Sequence, residues 1–98
     1  MSNILANLRI ELDSTFVFNK VPENVIRIDN VLYVSIGDNF GCLTQISYND
    51  DIFDLFYYDK SETDFKFVKS VPNVSIKNAA EEIVNVIYAH PDAIDAGI

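Results

Sequence analysis

The chain has 98 residues, 49% of them hydrophobic and 22% charged. That is apolar material for one domain with its own core, and the absence of a low-complexity tract argues against disorder or a second domain. A net charge of −8 with a single cysteine argues against direct binding to nucleic-acid phosphates or anionic membranes, and excludes an intramolecular disulfide or a multi-cysteine metal cluster.

The chain opens MSNILANLRIELD, which meets charge after a few apolar residues. It is therefore unlike a signal peptide or a membrane span, and a soluble, cytoplasmic protein is expected. Ile4, Leu5, Leu8 and Leu12 make a helical stripe, whereas Leu8, Ile10 and Leu12 also alternate with Arg9, Glu11 and Asp13 as a strand would. A helix from Ser2 to Asp13 is the preferred reading. STFVFNK adds a short strand before Pro22.

Turn signals every eight to twelve residues then predict an antiparallel series. Strands are expected at Val25 to Ile28, Val31 to Ile36, Phe40 to Tyr48, Ile52 to Tyr58 and Phe65 to Val71. They are joined at Asp29-Asn30, Gly37-Asp38-Asn39, Asp50-Asp51 and the loop from Asp59 to Thr63. Cys42, mid-strand, reads as a small buried hydrophobe. A second helix begins at the N-cap Ser75, carries Ile76, Ala80, Ile83 and Ile87 at helical spacing, and stops at Pro91. The sole histidine, His90, falls in its last turn, where it meets free carbonyls. The fold class is α+β: an antiparallel β-meander of four to five strands with a C-terminal helix and an N-terminal one packed against it.

Turn lengths assign the faces, since a slip of one residue moves every side chain to the other side. A three-residue turn at Gly37 to Asn39 pairs Ile36 with Phe40 and Val34 with Cys42. A two-residue turn at Asp50-Asp51 sets Tyr48 opposite Phe53, Ile46 opposite Leu55 and Thr44 opposite Tyr57. The loop from Asp59 to Thr63 sets Phe65 opposite Tyr57 and Phe67 opposite Leu55. The hairpin at Asp29-Asn30 stays open, because two- and three-residue turns give opposite faces. Ile52, Asp54, Phe56 and Tyr58 then point to the second face beside Leu43, Tyr33 and Val68. That face is either covered by a helix or an apolar patch with an acidic rim.

The charge is local. Asp38, Asp50, Asp51, Asp54, Asp59, Glu62 and Asp64 stand against Lys60 alone, so residues 38–64 carry −6 and each flanking segment −1. Adjacent acids such as Asp50 and Asp51, or Glu81 and Glu82, point different ways and have no companion base. NDDIFD lacks the spacing and glycine of a calcium loop, and three glycines make no phosphate-binding signature. No catalytic residue, metal ligand or cofactor is expected, so the protein is read as a non-enzyme. The composition is similar to that of many small phage and mobile-element proteins.

The sequence predicts a small acidic protein-binding module, such as an inhibitor or accessory factor, engaging a basic surface on a partner protein. Its expected contact residues are Asp50, Asp51, Asp54, Phe56, Tyr58, Asp59, Glu62 and Asp64. Nucleic-acid mimicry is a special case of that reading. The alternative is a homodimer or larger homo-oligomer in which a second copy covers the sheet.

Overall fold

The computed structural model describes residues 3–12, 16–36 and 39–91, with the backbone alone for Asn3 and residues 39–42. The chain runs α1 (Asn3–Glu11), β1 (Phe16–Phe18), β2 (Val31–Ile36), β3 (Asn39–Asn49), β4 (Ile52–Asp59), β5 (Asp64–Pro72) and α2 (Ile76–Tyr88). All five strands pair antiparallel in sequence order. With a helix near each end, the fold is α+β as the sequence predicts. Ser2, Asp13 and the Cys42 side chain lie outside what is described.

Hydrophobic period decides the N-terminus. Leu5, Leu8 and Leu12 are buried, while Arg9, Ile10 and Glu11 face solvent. A strand would have placed Ile10 with Leu8 and Leu12; a period of 3.6 residues turns it away. In α2 the Ser75 hydroxyl accepts a bond from the Asn78 N–H at 3.1 Å, and Ala79, Ala80, Ile83, Val86 and Ile87 are buried. Past the helix end the His90 N–H donates to the Ile87 carbonyl, and its buried ring lies 4.4 Å from that of Tyr57.

Both helices cover one face of the sheet. Leu5, Leu8 and Leu12 join Ala80, Ile83 and Ile87 in a single cluster with Leu32, Val34, Ile46, Phe53, Leu55 and Val71. Beneath α2, the Tyr57 hydroxyl donates to the Val86 carbonyl at 2.7 Å, and burial raises its pKa above the ordinary 10.0. A raised folded-state value means that this stabilisation is complete below pH 10 and lost as pH climbs through the folded pKa. Tyr57→Phe should therefore cost about 1 kcal/mol at neutral pH. It should also make the alkaline loss of stability shallower, which urea unfolding at neutral and strongly alkaline pH would read.

The registers separate into one that follows the sequence and two that do not. Across β3 and β4, Tyr48 faces Phe53, Ile46 faces Leu55 and Thr44 faces Tyr57, as expected. Asp50 and Asp51 have φ of 51° and 62°, so both central residues of this two-residue turn take the left-handed region that matches strand twist. Between β2 and β3 the expected pairs are replaced. Ile36 faces Asn39 and Val34 faces Thr44, with the register shifting between them. Because Thr44 and Cys42 have the same parity, Val34 still points to the helices.

Between β4 and β5 the correction moves side chains. Asp59 faces Asp64, which leaves a four-residue loop, so Phe65 pairs with Tyr58 and Phe67 with Phe56. Both phenylalanines therefore leave the helix face. A bulge then puts Lys69 opposite Leu55 and Val71 opposite Phe53. Val68, the extra residue, packs on the main core and not on the second face.

Val25 to Ile28 is not a strand. The β2 edge that such a hairpin needs is taken: the Asn19 N–H donates to the Tyr33 carbonyl at 2.8 Å, the Asn19 side chain accepts from the Tyr33 N–H at 3.3 Å, and β1 follows. Asn19 and Asn30, at φ of 59° and 66°, turn the chain into and out of this connection; asparagine tolerates that region better than most residues.

Candidate functional site

The second face of the sheet is divided. Neither helix covers it. One half lies under the connection between β1 and β2, where Val21 and Val25 pack with Tyr33, Leu43, Tyr58, Val31 and Phe65 in a small separate core. Two hydroxyls tie the connection down: that of Tyr58 accepts from the Asn24 amide at 3.1 Å, and that of Tyr33 from the Ile28 N–H at 3.2 Å. Tyr58 has the orientation read from the sequence, yet it is only 5% exposed. It cannot serve as a surface contact.

The other half is open. Phe67 is 60% exposed and stands edge-on to Phe56, with ring centres 5.6 Å apart. Ile52, on the same face of β4, is 39% exposed. Between Ile52 and Phe56 lies Asp54, which accepts a bond from the Ser70 hydroxyl at 2.5 Å. Alternation explains why this strip lacks cations. Lys66 and Lys69 stand opposite Tyr57 and Leu55, so they project to the helix side, where Lys69 reaches Glu82 at 4.0 Å. Phe65 and Phe67 have the other parity.

The expected acids fall at two poles. Asp50 and Asp51 form the β3–β4 turn; Asp59, Glu62 and Asp64 form the β4–β5 turn; the length of β4 separates them by about 23 Å. Asp54, Phe56 and the buried Tyr58 lie between.

The poles differ in how their charges are held. At the β4–β5 turn Asp59 accepts from the Ser61 hydroxyl at 2.6 Å, the Ser61 N–H at 3.0 Å and the Glu62 N–H at 3.4 Å. The Ser61 hydroxyl bond is the main cause holding this carboxyl below its usual pKa. Glu62 pairs with Lys66 at 2.7 Å, and Asp64 accepts from the Phe65 N–H at 2.8 Å. These acids build their own turn. At the other pole Asp51 accepts from the Tyr48 hydroxyl at 2.7 Å, and its carbonyl from the Asn73 N–H at 2.8 Å, while Asp50 is exposed.

Sequence reasoning missed Phe67 by pairing it inward. The FKFVK pattern held the missing signal: lysines alternate with the phenylalanines up to Phe67, then lose that parity before Val71, as a bulge requires. Among the described residues, no three His, Cys, Asp or Glu side chains converge as a metal site needs, and no helix is long and apolar enough to cross a membrane.

The arrangement defines an α+β domain with a five-stranded meander, one helix-covered face and one half-open face. No family model, no curated protein and no solved structure matches the chain.

Proposed function

We propose that the protein is a small, non-enzymatic, cytoplasmic protein-binding module, of the inhibitor or accessory-factor kind. It engages a basic surface on a partner protein through the open half of its second sheet face. The observation that carries this reading is the strip of Ile52, Phe56 and Phe67. Ile52 and Phe67 are exposed and Phe56 is half-buried between them, on a face whose other half is covered, and the strand charge among them is Asp54. An apolar centre with a polar, single-sign rim is the anatomy of a recognition surface. Asp50 and Asp51 extend the negative rim at one end and Glu62 and Asp64 at the other. The acids steer a basic partner, and the aromatic pair supplies the buried area.

Affinity capture from the native lysate at low salt, followed by binding measurements on each purified candidate, tests the reading. Phe67→Ala should weaken a genuine complex by about 1 to 2 kcal/mol. Joint replacement of Asp50 and Asp51 by Asn should flatten its salt dependence. Asn85→Ala, on the exposed side of α2, should do neither. Wild-type affinity in the Phe56→Ala, Phe67→Ala double variant refutes the proposal.

A further inference from the structure

The open strip ends on an edge of the sheet that the fold leaves free. β5 is the last strand, nine residues long and paired on one side with β4 alone, whereas β1 at the other edge has three residues. Among the described residues, no backbone hydrogen bond joins Asp64–Pro72 to any segment but β4. Val71 is the one buried residue in β5. An antiparallel edge strand turns alternate N–H and C=O groups outward, so β5 presents a row of them ready for pairing. The same edge explains the 60% exposure of Phe67: its inner flank meets Phe56, and no strand lies along its outer flank.

Resting on the binding role proposed above, we propose that the partner enters as an extended strand paired with the outer edge of β5, setting an apolar residue beside Phe67 and, two places along, a basic residue beside Ser70. Main-chain bonds supply affinity in such strand addition, and alternate side chains supply specificity. The register decides those side chains. Asp54 and Phe56 are successive residues on the open face of β4, and they face Ser70 and Phe67 across the sheet. The bulge between them makes Phe67 and Ser70 successive on the open face of β5 as well, so one further strand continues both rows. The row of Phe56 and Phe67 calls for an apolar neighbour. The other row runs from Asp54 to the exposed Ser70, whose hydroxyl is bonded to that carboxylate at 2.5 Å. A long cationic side chain laid over so short a residue reaches the acid. On the helix side the added strand lies beside Lys66 and Lys69, so its intervening residues are neutral or acidic. A second copy of the chain is the poorer occupant, since it brings a net charge of −8 against its like and β5 lysines among lysines. Edge lysines and a bulge guard a strand against indiscriminate pairing; here they leave room for a partner of matching pattern.

The probe is a capped peptide of alternating threonine and valine in which one inner valine is replaced by lysine and the next valine by phenylalanine. NMR titration of the isotope-labelled full chain should show the β5 amides shifting and their hydrogen exchange slowing, with the β1 amides unchanged. Phe67→Ala and Asp54→Asn should each weaken binding about tenfold. A control peptide with the lysine and a neighbouring threonine exchanged, which turns the charge toward Lys66 and Lys69, should bind more weakly. Two further peptides are N-methylated on alternate residues, one along each edge, which removes backbone donors and keeps every side chain; one of them should fail to bind. Undiminished binding by both overturns strand addition, and so do β5 amides that the first peptide leaves unperturbed. Neither result touches the binding role itself, which fails separately if the native complex ignores the Phe56 and Phe67 changes.

Discussion

Tyr58→Ala is expected to destabilise the fold by about 3 kcal/mol, as truncation of a buried aromatic ring does. The ring packs with Tyr33 and Leu43 and lies 5.3 Å from that of Phe65, and its hydroxyl anchors Asn24 of the covering connection. Removing it leaves a cavity in a cluster too small to refill it, and frees a connection that packs mainly through Val21 and Val25. Tyr58→Phe keeps the ring and loses the bond from Asn24, so it should cost only about 1 kcal/mol. Urea unfolding with an unchanged m-value would measure both. A loss below about 1.5 kcal/mol for Tyr58→Ala, the range of surface changes, would show that the connection does not seal this half of the sheet.

The second large effect lies three residues earlier. Leu55 is fully buried, faces Ile46 across the sheet and belongs to the helix-covered core. Leu55→Ala should cost roughly 2 to 5 kcal/mol, depending on how far α2 settles into the cavity. Its neighbour Phe56 points the other way and is half-buried. Phe56→Ala removes one edge-on aromatic contact with Phe67 and should cost about 1 kcal/mol. A large gap between adjacent positions is the energetic signature of a sheet covered on one side of β4 and open on the other. Equal, large losses would mean that both sides are closed within the monomer.

The difference between these two strand neighbours was legible in the sequence, because the Asp50-Asp51 turn and the alternation around it allow one register only. Helix α1 was ambiguous by pattern, and it was settled when Ile10 pointed away from the core. The β4–β5 pairing was not legible. Its loop length is fixed by the Asp59 carboxylate bonding Ser61 and Glu62 and by Thr63 at a φ of 50°, and one residue fewer in the loop moved Phe65 and Phe67 to the other face. The bulge at Val68 then restored Val71 to the core. The loop length leaves no periodic trace, and the bulge leaves only the broken alternation of FKFVK.

The candidate site was legible in the same proportion. Asp54 and Phe56 occupy the face that alternation assigns them, and the turn acids sit at turns. What failed was long-range. Tyr58 is buried by a segment some thirty residues earlier in the chain, whose V-I-R-I pattern reads as a strand. Only the competition of Asn19 and β1 for the edge of β2 makes it a cover instead. Local pattern specifies which side a residue faces, but not what else in the chain comes to lie there.

Photo-crosslinking in the cell that naturally makes the protein tests the binding surface most directly, with a photoreactive amino acid placed at position 67 in one variant and at position 85 in another. Position 67 lies on the open strip, and position 85 on the outer side of α2, across the thickness of the fold. A discrete crosslinked partner of basic character at position 67, absent at position 85 and diminished when Asp50, Asp51 and Asp54 are replaced by Asn, is the predicted result. Crosslinking of the same species at position 85 but not at position 67 would contradict the account.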